Sequence, residues 1–125
     1  MIGPNPILTK TFTAGAAIAK NTIVMFSADD TVVVATAVTD LVIGISLEAA
    51  AAVGDRIDIC LLGIAEVKAA GAISRGDYVV STAAGEAVAG TGTTAKQQAI
   101  GIAMVGVADD DIFPCLIARS QFDLA

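Results

Sequence analysis

The stretch VIGISLEAAAAVGDRIDICLLG, residues 42–63, has a near-match at the other end of the chain, AIGIAMVGVADDDIFPCLIAR, residues 99–119. The two align on Ile43/Ile100, Gly44/Gly101 and Ile45/Ile102. With a two-residue loop difference closed up, they finish with Cys60 over Cys115, Leu61 over Leu116 and Leu62 over Ile117. The match extends upstream, where AGAAIAKNTIVMFS (14–27) parallels AGAISRGDYVVS (70–81). The chain therefore reads as two copies of a unit of roughly 55 residues, too few and too long for a solenoid. Two such copies point to one closed, pseudo-symmetric body.

Alternation within the matched segments predicts strands. Ile43, Ile45 and Leu47 share one face and Val42, Gly44 and Ser46 the other; the second copy sets Ile100, Ile102 and Met104 against Ala99, Gly101 and Ala103. A glycine at the centre of each small face leaves room for a neighbouring backbone. In residues 56–62, Ile57, Ile59 and Leu61 alternate with Arg56, Asp58, Cys60 and Leu62, so the charged start marks the second set as outward. In the second copy Asp111 is followed on its face by Phe113, Cys115 and Ile117. A surface that begins charged and ends apolar, twice, is covered either by the chain's own loops or by another subunit.

Working outward, Pro4 and Pro6 predict an extended N-terminal arm over residues 1–8, which either frays or lies on a neighbouring subunit. Residues 7–13 alternate as a strand, and Ala28-Asp29-Asp30 marks a hairpin between runs at 22–27 and 31–35. Residues 48–53 are a loop with room for one helical turn before Gly54-Asp55 restarts a strand. A Gly85-centred hairpin follows 77–81, residues 90–98 form a small polar loop, and 120–125 are a tail that either docks Phe122 or stays loose. One β domain, 9–119, with copies at about 12–63 and 69–119, is the resulting organisation. Short strands at intervals of about 8–12 residues predict an all-β barrel or sandwich.

Composition excludes several function classes. Of 125 residues 55% are hydrophobic, but charges interrupt every apolar run, and none approaches the ~20 residues of a spanning helix. Residues 1–6 lack the basic and apolar regions of a secretory signal, so residence in the cytoplasm is the expectation. A net charge of −6 with scattered basic residues argues against a nucleic-acid partner. The chain has no histidine, which removes the commonest general base and metal ligand. Neither cysteine has an activating neighbour in sequence, and both read as buried structural thiols. Asp109-Asp110-Asp111 lacks the ligand spacing of a calcium loop and reads as a solvated turn; Arg75-Gly76-Asp77 reads as turn chemistry before a strand. No catalytic residue, metal or cofactor is assigned.

The chain resembles the capsid decoration, or cement, proteins of tailed bacteriophages. The likeness rests on TFTAGAAIAKNTIV, on GISLEAAAAVGDRIDICLLGIAEVKAAGAISRGDYVV, on STAAGEAV and on the closing AIGIAMVGVADDDIFPCLIA, nearly the whole length. It implies a compact β-barrel-like homotrimer on the exterior of the virion capsid that reinforces contacts between major capsid protein subunits. It carries over no catalytic residue. The interface candidates are the arm residues Ile2, Pro4 and Pro6, the apolar strand ends Cys60, Leu62, Phe113, Cys115 and Ile117, and Phe122 of the tail. The rival readings are a small-ligand-binding β-barrel module or a subunit of a larger assembly, marked by a polar-lined pocket of about 300 Å³ or more, and a carboxylate enzyme with a bound metal.

Overall fold

The computed structural model describes residues 4–90 and 97–122, with the side chains of Gln121 and Phe122 excepted. Among them the chain is all β. Its strands are β1 (Asn5–Ala14), β2 (Ile23–Ala28), β3 (Thr31–Val34), β4 (Val42–Ser46), β5 (Arg56–Lys68), β6 (Tyr78–Ser81), β7 (Ala87–Ala89), β8 (Gln97–Ala103) and β9 (Ile112–Phe122). They form one sheet of order β1-β3-β2-β4-β5-β9-β8-β6-β7.

That order is the same from both sides of β5: β3-β2-β4-β5 in the first half of the chain, β7-β6-β8-β9 in the second. In the first half the pairing returns on itself, because β1 pairs in parallel with β3 (Ala14 with Val32) and antiparallel with β5 (Phe12 with Ile57). In the second half the C-terminal part of β5 takes the role of β1: Val67 pairs with Phe113 of β9, and Ala69 bridges in parallel to Ala87 of β7. The thirteen-residue β5 is thus the spine of both halves.

The loops correspond bond for bond. Ile18 and Ala50 exchange two backbone hydrogen bonds at 2.9 and 2.8 Å, as do Ile73 and Val107 at 3.0 and 2.8 Å. Ala14 donates to the Asp55 carbonyl and Ala69 to the Asp111 carbonyl. Left-handed residues also fall in pairs, Asn21 with Gly76, Asp30 with Gly85 and Gly54 with Asp110. Asn, Asp and Gly are the residues that reach this conformation at least cost, so the turns are written in the sequence by residue type.

The strand register corrects the sequence alignment by one residue. Ile45 pairs with Cys60 and Ser46 with Ile59, whereas Ile102 pairs with Leu116 and Ala103 with Cys115. The counterpart of Cys60 is therefore Leu116, and that of Cys115 is Ile59. Matching the cysteines slips the second matched segment by one position, and a one-residue slip exchanges the faces of a strand. Phe113, Cys115 and Ile117, placed outward by that slip, are buried in the chain's own core; Ile112 and Leu116 face out.

Two hydrophobic cores follow. Phe12, Ile18, Val24, Ile43, Ile57 and Ile59 fill the first half, and their counterparts Val67, Ile73, Val79, Ile100, Phe113 and Cys115 fill the second. Each large side chain so buried contributes ~1.5–3 kcal/mol. Cys60, Ile45 and Ile23 face away from the first core, but are fully buried because they join the second. Cys60, an outward position by alternation, is therefore covered by the other half of the chain, not by another subunit.

Other expectations change as well. Residues 5–8, assigned to the arm because of the prolines, are the start of β1 and pair with β5: Asn5 with Ile64, Pro6 with Gly63 and Leu8 with Leu62. Shifts in register around Ile7 accommodate Pro6, which has no donor for the ladder. Residues 48–53 contain no helical turn, because Asp55 accepts from the amides of Ala51 and Ala52 and holds a tight loop instead. Gln97 and Gln98 begin β8 and 120–122 continue β9. Residues 91–96 of the expected polar loop lie outside the described residues, as do Ile2 and 123–125.

Candidate interaction surface

Polar side chains of this chain mostly brace its own loops. The Asp40 carboxylate accepts from the Thr36 amide at 2.7 Å and hydroxyl at 3.0 Å, and from the Ala37 amide at 3.0 Å. Asp77 accepts from Ser74 at 2.9 Å, and Asp111 from Ala108 at 3.1 Å. An Asp that bonds backbone amides in this way fixes a turn, and its lone pairs are committed there. Arg75-Gly76-Asp77 is such a turn, with Gly76 at φ +90°. Arg56 reaches Asp30 at 2.6 Å and Thr13 at 2.8 Å across the mouth of the first half. Lys68 is held above the usual ammonium range by its hydrogen bond to Glu86, with Asp110 adding to it. No group of three His, Cys, Asp or Glu side chains able to hold a metal occurs among the described residues.

The thiols are quiescent. Burial pushes Cys115 up to about 12, and the nearby Cys60 adds to the shift. Burial also raises Cys60, opposed by its hydrogen bond to the Leu62 carbonyl at 3.2 Å. A thiol so shifted stays protonated near neutrality and is a poor nucleophile.

Apolar surface concentrates in three places. The first is the N-terminal edge, where Pro4 and Pro6 are exposed beside Ile7 (74%), Leu8 (51%) and Leu62 (47%). Leu8 pairs with Leu62, which sets those two leucines side by side along this edge. Gly63 makes the edge possible: its φ is +106°, and a Cβ there would come within 2.6 Å of the Asn5 carbonyl and the Ile7 amide. The second is a row of register partners across four strands of the second half, Ile64 (β5), Leu116 (β9), Ile102 (β8) and Tyr78 (β6). Leu116 and Tyr78 are each nearly half exposed. The third is a groove of about 750 Å³ between β2, the loop before β4 and the end of β9, lined by Met25, Phe26, Leu41 and Ile43, with Asp40 and Arg119 among its polar residues. Leu41 and Phe26 are exposed.

Of the residues singled out in the sequence, Pro4, Pro6 and Leu62 are exposed along the N-terminal edge. Cys60, Phe113, Cys115 and Ile117 are interior, so none of them offers a surface. Ile2 and the side chain of Phe122 lie outside the described residues. Ile7, Leu8, Phe26, Leu41 and Leu116 were not singled out. Setting Leu61 over Ile117, in place of Cys60 over Cys115, makes Leu116 the counterpart of Cys60, an outward position by alternation.

Such an inventory, with braced carboxylates, inert thiols and separate apolar surfaces on a rigid β body, defines a protein of surfaces. The comparisons agree with this. The chain matches the phage cement protein family over residues 5–113, and it belongs to that family, one of bacteriophage structural proteins; it is a virion component. The fold is similar to that of the head fiber gp8.5 N base of bacteriophage phi29, with a TM-score of 0.68 at 19% identity, over 93% of this chain and 98% of that one. No curated protein matches the sequence.

Proposed function

We propose that this protein binds the outer surface of an assembled phage capsid and stabilises contacts between major capsid protein subunits, as a homotrimer made in the host cytoplasm. The observation that carries the reading is the family match over 109 of 125 residues, 5 to 113 inclusive. Its mechanism is binding energy. A specific protein contact typically buries ~1,600 Å² in total, and three linked copies raise the effective concentration of each further contact. The charge of −6 favours solubility of the free protein before attachment.

The ridge of Pro4, Pro6, Ile7, Leu8 and Leu62 is the surface we assign to the capsid. It is apolar, exposed and held on paired backbone, so docking orders little additional chain. The corresponding strand orders of the two halves are further read as a duplication of one unit, and each cycle of strands as a small barrel.

The test is co-sedimentation with undecorated capsids. The wild-type protein is expected to pellet with them and to raise their heat resistance, and a double Leu8→Glu/Leu62→Glu variant to stay in the supernatant with its β-type circular dichroism intact. A wild-type protein that leaves capsids unbound and no more heat-resistant sinks the function; a double variant that still pellets sinks the assignment of the ridge.

A further inference from the structure

The outer side of β1 is an open backbone edge. From Thr9 to Thr13 the strand keeps continuous antiparallel register with β5, with Thr9 opposite Cys60 and Thr11 opposite Asp58. Alternate residues of a strand turn their N–H and C=O groups to opposite sides, and the surrounding bonds fix which side is which. The Ala14 amide donates to the Asp55 carbonyl, on the β5 side, whereas the Thr13 and Gly15 amides donate to the Asp30 and Val32 carbonyls, on the β3 side. Phe12 and Lys10 therefore bond β5, and Thr11 and Thr9 turn away from it. The opposite strand agrees: the Asp58 carbonyl accepts from the Leu47 amide and Cys60 pairs with Ile45, so both residues face β4. β3 occupies the row beside β1 only at Thr13 and Ala14. Among the described residues, no strand lies in that row beside Thr9 and Thr11. The Thr11 carbonyl accepts from Arg56 at 3.3 Å, which leaves the Thr9 amide, the Thr9 carbonyl and the Thr11 amide open, and residues 5–10 are exposed on both faces.

We propose that this edge takes up an extended segment of the capsid subunit as an added strand, in the row that β3 leaves vacant. The inference rests on the capsid attachment proposed above and specifies how that contact is made. A row of unpaired N–H and C=O groups is complementary to one kind of ligand, another extended backbone. Charge selects which backbone. Lys10 stands between the two threonines; its ammonium lies 5.7 Å from the centre of the Phe12 ring and, among the described residues, makes no ion pair. A second copy docking edge to edge, Thr9 of one against Thr11 of the other, would set Lys10 opposite Lys10, and like charges directly opposite repel. The segment that fits carries Asp or Glu opposite Lys10, with apolar side chains next to it to cover Ile7 and Leu8, exposed at 74% and 51%. Pro6, which has no donor, ends the pairing on one side. The Arg56–Asp30 ion pair at 2.6 Å ends it on the other, so the added strand is short and runs along residues 7–11.

The experiment compares full-length variants for co-sedimentation with undecorated capsids. Thr9→Pro removes the outward amide and sets a proline ring in the vacant row, and it takes no bond from β5. Thr9→Val keeps the amide and loses only the hydroxyl. Thr9→Pro should weaken capsid binding by about tenfold or more, the loss of one backbone hydrogen bond with a steric block added. Lys10→Glu should weaken it by a similar factor, and Thr9→Val should bind as the wild type does, all with unchanged β-type circular dichroism. Hydrogen exchange read by mass spectrometry on the pelleted wild type should slow at the Thr9 and Thr11 amides relative to the free protein, and this measurement decides the matter if Thr9→Pro loses its circular dichroism. A wild type that does not pellet overturns the capsid attachment and this docking mode with it. A wild type that pellets while Thr9→Pro pellets equally well, or while both amides exchange as in the free protein, overturns the added strand alone. Equal binding by Lys10→Glu overturns the acidic character assigned to the segment.

Discussion

Truncating Phe113 tests the register of β9, on which the assignment of inside and outside depends. Phe113 has no exposed surface, pairs with Val67 across β5 and β9, and sits in the second core. Phe113→Ala removes a buried ring and leaves a cavity, a change that costs about 3–5 kcal/mol. A domain has about 5–15 kcal/mol of stability in all, so the variant should fold but approach the threshold. With a urea slope of ~2 kcal/mol per molar, the unfolding midpoint should drop by about 2 M. Leu116→Ala, three residues on and 43% exposed, is the internal control; it should cost about 1 kcal/mol or less. Both are measured at two protein concentrations, so that any contribution from association shows as a concentration-dependent midpoint. If Phe113 belonged to a subunit interface, its truncation would lower the oligomeric mass while leaving the monomer's midpoint unchanged. That result, or equal midpoints for the two variants, refutes the register argument. The harsher Phe113→Asp buries a carboxylate without a partner and should abolish cooperative unfolding.

Two more predictions concern the spine and the second core. Because burial raises Cys115 from 9.0 to about 12, the folded state holds its proton longer than the unfolded state does. The associated stability is fully present below pH 9, falls as pH rises towards 12 and amounts to roughly 4 kcal/mol across that window. Urea midpoints of the wild type should therefore decline more steeply there than those of Cys115→Ala; parallel pH profiles contradict the assignment. Gly63→Ala places a Cβ against the Asn5 carbonyl at a φ of +106°, which strains the site by about 1–3 kcal/mol. Hydrogen exchange should speed up at residues 5–8 first, and unchanged protection there would show that β1 tolerates the side chain.

The all-β architecture was legible because turn chemistry and alternation agree: Asp29-Asp30 and Gly85 mark two hairpins, and Ile57 and Ile59 alternate with Arg56 and Asp58. The strand order was not legible in the matched segments, since pairing is decided by contacts far apart in sequence. What misled was a chemical coincidence. Cys60 and Cys115 look like equivalents, but cysteine packs as a small apolar residue on either face of a strand. Cys115 occupies the core position of Ile59, and Cys60 the outer position of Leu116. The N-terminal prolines misled differently. They forbid donors in a ladder, yet Pro6 is accommodated where β1 shifts register beside Gly63, a backbone conformation that no alternation pattern reveals.

The apolar surfaces follow from the same arithmetic of faces. A strand row can be covered by one neighbour, and the first half spends its outer row on the second half, which is how Cys60, Ile45 and Ile23 become fully buried. Among the described residues, Leu116 and Leu41 are left exposed, at 43% and 75%. Substitution to charged residues would make both ends soluble at no cost to either core, because Leu116 and Leu41 point away from them. That they are leucines, in a chain otherwise negative and braced by its own carboxylates, is the feature that solubility alone does not account for.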